Sequence, residues 1–210
     1  MKKTTTRFDR DYYRRFYLEP RTAVTSAHEM VALGNFIAAY TQRVGLPVKR
    51  ILDAGCGIGL LRRPLLKQLP RATYTGMEIS EYLCERYGWV NSTVQEYRSA
   101  TPFDLVICND IAQYFDERSM RRAAVNLGRL CRGVLFFSAL TASDWRNNCD
   151  QTRTDPNVLL RPAEWYREHL RRHFREVGAG LWLPRGSPLI VWELETAYRP
   201  KIKRHSGPAR

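Results

Sequence analysis

A chain of 210 residues with 44% hydrophobic content is long enough for one domain with a sizeable core. Its five cysteines form no C-x-x-C pair and have no neighbouring histidine pair, which argues for buried reduced thiols over a disulfide framework or a zinc site. Every apolar stretch is broken by charge before the ~20 residues of a spanning helix, and Met1–Arg15 lacks a leader's apolar run, so the expectation is a cytoplasmic protein with no membrane partner.

The formal charge of +13 makes a polyanion such as nucleic acid a possible partner. The arginines are scattered over the chain and are not gathered into one basic and aromatic stripe, which weighs against that reading.

In chain order, Phe8, Tyr12, Tyr13, Phe16 and Tyr17 recur at helical spacing among arginines and predict an amphipathic helix. A second helix is expected over Ser26–Arg43, ended by Gly45-Leu46-Pro47. From there, short β-forming runs alternate with helical patterns, the mark of a parallel sheet with crossover helices. The strands are expected at Arg50–Ala54, Thr73–Glu78, Ser92–Gln95, Phe103–Asn109 and Gly133–Ala139. The helices are expected at Gly59–Gln68, Ser80–Tyr87, Asp116–Cys131 and Pro162–Phe174, with Pro64 shortening or kinking the first. Two closing runs, Val177–Leu183 and Leu189–Glu195, read as an antiparallel hairpin through Pro184–Pro188. The division that follows is a helical cap over residues 1–48, a core over 49–197, and a basic tail over 198–210 with little to bury.

The first strand runs into Asp53-Ala54-Gly55-Cys56-Gly57-Ile58-Gly59, and an apolar helix face follows. Alternate glycines let a ligand lie against the loop backbone and the helix N-terminus, although a tight βα turn with no ligand would use the same residues. Glu78 ends the second strand about 20 residues later, where an acid is placed to bind ribose hydroxyls; a helix-capping acid is the plain alternative. A dinucleotide site would want G-x-G-x-x-G, but position 60 is Leu60.

These residues resemble the class I S-adenosylmethionine-dependent methyltransferases, in element order over roughly Arg50–Glu195 and in an acidic Gly-x-Gly-x-Gly motif matched by Asp53, Gly55, Gly57 and Gly59. The resemblance implies a Rossmann-like α/β fold, a mostly parallel seven-stranded sheet flanked by helices and ending in an antiparallel hairpin. It implies S-adenosylmethionine as cofactor, with the glycine loop against its methionine part and Glu78 on its ribose. Glu96, beside Gln95, best matches the acidic position that faces the adenine, although this segment lacks the usual aspartate.

Ligands of open α/β sheets sit beyond the carboxyl ends of the strands, which places Asn109, Asp110, Gln113 and Tyr114 beside the reacting methyl. Asn109 is counted with the cofactor residues. Asp110, Tyr114 and His28 are the catalytic candidates, with Asp110 or a histidine as base where a hydroxyl is the acceptor. The alternative for Asp110 and Tyr114 is a helix cap and a core aromatic. Tyr12, Tyr13 and Tyr17 are candidates to line a lid over the acceptor. The polar stretch Thr141–Arg161 is expected to lack regular structure, and it offers Trp145 and Arg153 as acceptor contacts. His169 and His173, four apart on one predicted helix, read as a solvated basic face with no third ligand, so no metal is expected.

The resulting expectation is methyl transfer to a small molecule. The alternatives are a nucleic-acid acceptor or a catalytically silent domain that binds a partner.

Overall fold

The computed structural model describes residues 7–196, so the expectation for the basic tail lies outside the described residues. Seven strands form one sheet: β1 (Arg50–Ala54), β2 (Thr73–Glu78), β3 (Val90–Asn91), β4 (Phe103–Cys108), β5 (Cys131–Phe137), β6 (Phe174–Gly178) and β7 (Leu181–Pro184). Their spatial order is β3-β2-β1-β4-β5-β7-β6. The first five pair in parallel, and β7 runs antiparallel to both β5 and β6. The strand order reverses between β1 and β4, and the crevice at such a reversal is where open α/β sheets bind ligands.

Both faces of the sheet are covered, so the central strands alternate between two apolar cores and do not alternate between core and water. Ile51, Leu105, Ile107, Val134 and Phe136 face α2 (Ala27–Arg43) and α3 (Arg62–Gln68). Leu52, Val106, Cys108, Leu135 and Phe137 face α5 (Glu117–Leu130) and α7 (Ala163–Leu170). α5 contributes a stripe of Met120, Ala123, Leu127 and Leu130 at helical spacing. A reciprocal capping box between Ser26 and Glu29 starts α2, and Gly34 lets that helix lie on Pro64 of α3, where an added Cβ would come within 2.8 Å of the ring. Asp104 is buried in the sheet, where its carboxylate accepts from the backbone N–H groups of Lys49 and Arg50 and from Arg132 Nε. Together these contacts hold its carboxyl below its usual range.

β1 and β2 fall where the sequence places them, but other elements are corrected. The third strand is Val90–Asn91; residues 92–95 carry no strand and lead into a turn at 94–96. The hairpin turns at Ala179-Gly180, and the Leu189–Glu195 run is no strand, because Leu189 and Val191 pack on the sheet face without pairing. α3 begins at Arg62, so Pro64 lies in the first turn, where its missing N–H costs no helical bond. The last long helix stops at Leu170, leaving His173 outside it. Near the N-terminus, one α-helical turn, α1 (Arg10–Tyr13), passes into a π-helical stretch at Arg14–Leu18. The polar stretch expected to be irregular contains α6 (Ala142–Asn147), opened by a capping box between Thr141 and Asp144. The remaining helix, α4 (Glu81–Tyr87), is capped by Ser80 and closed by Gly88 in the left-handed region.

Candidate active site

The loop after β1 is left-handed at all three glycines, with φ of +78° at Gly55, +53° at Gly57 and +77° at Gly59. The three have different reasons to lack a side chain. A Cβ on Gly55 would lie 2.5 Å from Ile111, and one on Gly59 would lie 2.7 Å from the Trp89 ring, whereas one on Gly57 would meet nothing closer than Tyr13 at 3.9 Å. Gly57 therefore faces open space. Gly59 is absent from the cavity walls and serves the packing of Trp89, whose indole N–H also donates to the Gly57 carbonyl at 2.9 Å. The sequence offers no local signal for Trp89.

Glu78, at the end of β2, is buried and joined to the loop. Its Oε2 accepts from the Gly57 N–H at 2.9 Å, and its Oε1 accepts from the N–H groups of Ile79 and Ser80 at 2.8 and 3.1 Å. The carboxylate also borders the cavity described next, with the Tyr13 phenol beside it. Asp53 lies below the loop, buried, with the Tyr74 hydroxyl donating to it at 2.6 Å. Burial pushes its carboxyl up to about 7, against the opposing Tyr74 hydrogen bond and aided by the nearby Glu78 charge.

Two cavities meet above this loop. One, of about 410 Å³, is lined by Glu78, Ile79, Thr93, Val94, Gln95 and Ile111 among others. Ile79 is 47% exposed, yet it lines this cavity together with Val94 and Ile111, an apolar lining suited to a flat ring. The Thr93 hydroxyl is buried and without a protein partner among the described residues. Asn126 of α5 holds the 92–98 segment in place by donating to the Val94 and Tyr97 carbonyls at 2.7 and 2.9 Å. Glu96 sits at the rim of this cavity, exposed and paired with Arg122 at 3.5 Å. Tyr13, expected on the acceptor side, is buried on this side.

The second cavity, of about 370 Å³, lies toward α2 and the 140–158 segment. Tyr12, Tyr17, Gly55, Gly57, Asn109, Asp110 and Tyr114 line both. Asp110 stands at the junction with a left-handed φ of +52°, uncommon for a residue with a side chain. Ser138 secures it: the Asp110 N–H donates to Ser138 Oγ at 3.1 Å, and that hydroxyl lies 3.0 Å from Oδ1 and 2.8 Å from the Asn109 amide oxygen. The surrounding walls raise the Asp110 carboxyl above its ordinary value by desolvation, partly offset by Ser138.

The N-terminal residues close this junction through aromatic packing and one polar chain. Arg7 pairs with buried Asp155 at 2.9 Å, the Tyr114 hydroxyl donates to the same carboxylate oxygen at 3.2 Å, and the Tyr12 and Tyr114 hydroxyls lie 2.9 Å apart. Burial pushes the Tyr12 phenol up to about 12 and raises those of Tyr17 and Tyr114 further.

Other expected contacts lie elsewhere. His28 is on the exposed side of α2 and lines neither cavity. Trp145 on α6 lines neither cavity, and Arg153 reaches away to the Pro20 carbonyl at 3.3 Å. Gln113 does line the second cavity, but its amide is spent on the Asp110 carbonyl and the Leu140 N–H. His169 bonds to the Trp165 carbonyl and to Glu117, and no metal-type cluster of His, Cys, Asp and Glu occurs among the described residues.

The profile of a methyltransferase domain matches residues 26–185. A malonyl-[acyl-carrier protein] O-methyltransferase of Halalkalibacterium halodurans is 29% identical over 104 residues, which are 43% of this chain and 38% of that protein. The match thus spans about two fifths of that relative's length. Among solved structures, an O-methyltransferase family protein from Burkholderia thailandensis superposes with a TM-score of 0.53 at 16% identity, covering 77% of this chain and 59% of that one. The plantazolicin methyltransferase, crystallised with a desmethylPZN analog and SAH, reaches 0.50 at 17% identity, covering 70% and 58%. These two likenesses show a shared fold.

Proposed function

The chain belongs to the methyltransferase domain family, and from that premise we propose that it is an S-adenosylmethionine-dependent methyltransferase acting on a small-molecule acceptor. The observation that carries the reading is the pair of cavities that meet at Asn109 and Asp110 directly above the glycine loop.

The residues present fit the cofactor. The apolar lining of Ile79, Val94 and Ile111 suits its adenine, with the free Thr93 hydroxyl on the wall for a polar edge. The Glu78 carboxylate at the cavity wall suits a ribose hydroxyl, and the open, left-handed Gly57 lets the methionine part lie on the loop backbone. When bound, S-adenosylmethionine supplies an electrophilic methyl group on a sulfonium. The chain's own part is to align the acceptor and keep water out, since a direct displacement gains most from orientation. Tyr12, Tyr17 and Tyr114 roof the junction, and Asn109 and Asp110 border the place where the two ligands meet. Asp110, with its raised carboxyl, is the group placed to take a proton from the acceptor.

The test is calorimetry with S-adenosylhomocysteine, followed by a methyl-transfer screen of metabolite fractions and total RNA. Binding of the nucleoside with transfer into the metabolite fraction is expected. A folded protein that binds no S-adenosylhomocysteine overturns the reading.

A further inference from the structure

The acceptor-side cavity has an unusual charge for this molecule. The chain carries 34 Lys and Arg against 21 Asp and Glu. Yet among the described residues no Lys, Arg or His lines this cavity, while Glu29, Asp53, Asp110 and Asp155 all do. Four aromatic rings share the wall: Tyr12, Phe16, Tyr17 and Tyr114. Chance placement of charge on so basic a chain would favour the opposite sign.

The four acids are not equivalent. Asp155 is balanced by Arg7, and Asp53 lies beneath the loop with the Tyr74 hydroxyl as its partner. Glu29 gives one carboxylate oxygen to its capping box with Ser26. Asp110 receives the Ser138 hydroxyl on Oδ1 and only a long 3.5 Å contact from Asn109 on Oδ2. Among the described residues, none of Glu29, Asp53 and Asp110 has a Lys or Arg within ion-pair distance. Glu29 and Asp110 both present solvent-accessible carboxyl groups to this cavity with no Lys or Arg of the described residues paired with them, so a cationic ligand would bring the missing opposite charge. Aromatic faces add an attraction for the same kind of ligand.

Resting on the methyltransferase reading above, we propose that this compartment selects a cationic acceptor, a small primary or secondary amine that enters as its ammonium ion and is methylated on nitrogen. Asp110 Oδ2 receives an ammonium hydrogen bond at the junction, Glu29 adds negative potential at the outer end, and the tyrosine rings enclose the substituents. The ammonium first gives one proton to the Asp110 carboxylate, leaving a neutral amine with a free lone pair. That lone pair forms the new carbon–nitrogen bond as the carbon–sulfur bond breaks and its electron pair passes to sulfur. The products are an N-methylammonium ion and S-adenosylhomocysteine. Phosphate-rich or carboxylate acceptors would meet the same acids as repulsion, so the wall is also a filter.

The test uses matched probes that share a phenyl ring and differ at the charged end: 2-phenylethylamine, phenyltrimethylammonium, 2-phenylethanol and 3-phenylpropionate. Calorimetry on the full chain saturated with S-adenosylhomocysteine comes first, and failure of that nucleoside to bind removes the methyltransferase reading itself. With it bound, both cations should bind at least tenfold more tightly than the carboxylate, the scale of one charge-assisted contact. D110N should lose about tenfold in amine affinity while keeping S-adenosylhomocysteine, and E29Q, which can keep its cap, about threefold. With labelled S-adenosylmethionine, label should enter the amine and not the alcohol or acid. Equal or tighter binding of 3-phenylpropionate, no preference among the four probes, or label entering the carboxylate would each overturn the cationic assignment and leave the methyltransferase reading in place.

Discussion

The two walls of the site are built by different means. The cofactor wall is backbone: three left-handed glycines between β1 and α3, a carboxylate tied to three N–H groups, and a tryptophan filling the space beneath. The acceptor wall is made of side chains from distant segments, with the N-terminal residues held to the 114 and 155 positions by one ion pair, phenol contacts and aromatic packing. A backbone wall has one low-energy shape, whereas a wall of side chains over a helical turn can open without disturbing the sheet. The contrast suits a tightly held common cofactor and an acceptor that must enter and leave.

Gly55→Ala should break the first wall most severely. Left-handed strain and the collision with Ile111 together should cost about 4 kcal/mol, read as a large fall in Tm and loss of S-adenosylhomocysteine binding. Gly57→Ala, with the strain but no collision, should keep the fold with a Tm loss of about a quarter of that size, since one left-handed residue costs about 1 kcal/mol. Similar losses from both would show that the packing against Ile111 is not what constrains the loop.

Next in size is a pH effect confined to the same wall. The Asp53 carboxyl is raised in the fold to about 7 from an unfolded value near 4, so between those limits the folded state binds the extra proton. Its contribution favours folding at low pH and is lost as pH rises through 7. Free protein should lose about 1.4 kcal/mol per pH unit from this group over that window, or about 3 kcal/mol between pH 5 and 7. Denaturant unfolding across that range should show the slope in the wild type and a flatter one in Asp53→Asn. A parallel pair of curves would assign the slope elsewhere.

Glu78→Gln sets an amide N–H₂ against backbone donors and should reduce S-adenosylhomocysteine affinity by about 2 kcal/mol, some thirtyfold. Acceptor-site mutations should leave that affinity within a factor of a few. The smallest effect belongs to the second wall. Asp155→Asn removes the charge that holds Arg7 and should cost about 1 kcal/mol of local closure. Hydrogen exchange should quicken over residues 7–18 and stay unchanged in β1, and equal acceleration in both would erase the distinction drawn between the walls.

The same difference explains what the sequence revealed. The cofactor wall is local: β1, its glycines and Glu78 lie within one strand–helix–strand unit, where apolar runs and turn residues mark each boundary. The acceptor wall is assembled from residues around 12, 29, 110 and 155, and no spacing rule reports that Asp155 meets Arg7 or that Tyr12 meets Tyr114. His28 misled because α2 buries the Gly34, Ile37, Ala38 and Thr41 face and turns His28 outward. The third strand was missed because its two residues are both exposed on the sheet edge and carry no burial pattern. The hairpin was displaced because Leu189 and Val191 look like strand residues while packing on the sheet unpaired.

Trp89 has a practical consequence beyond packing. Its ring lies against Gly59 and Gly76, stacks on Tyr87, and reports through its N–H on the Gly57 carbonyl, so one indole touches the loop proposed to carry the nucleoside. The molecule therefore contains its own optical probe: the ligand-dependent part of the tryptophan emission that Trp89→Phe removes, with the other four tryptophans left in place, reads the loop in real time with no label attached.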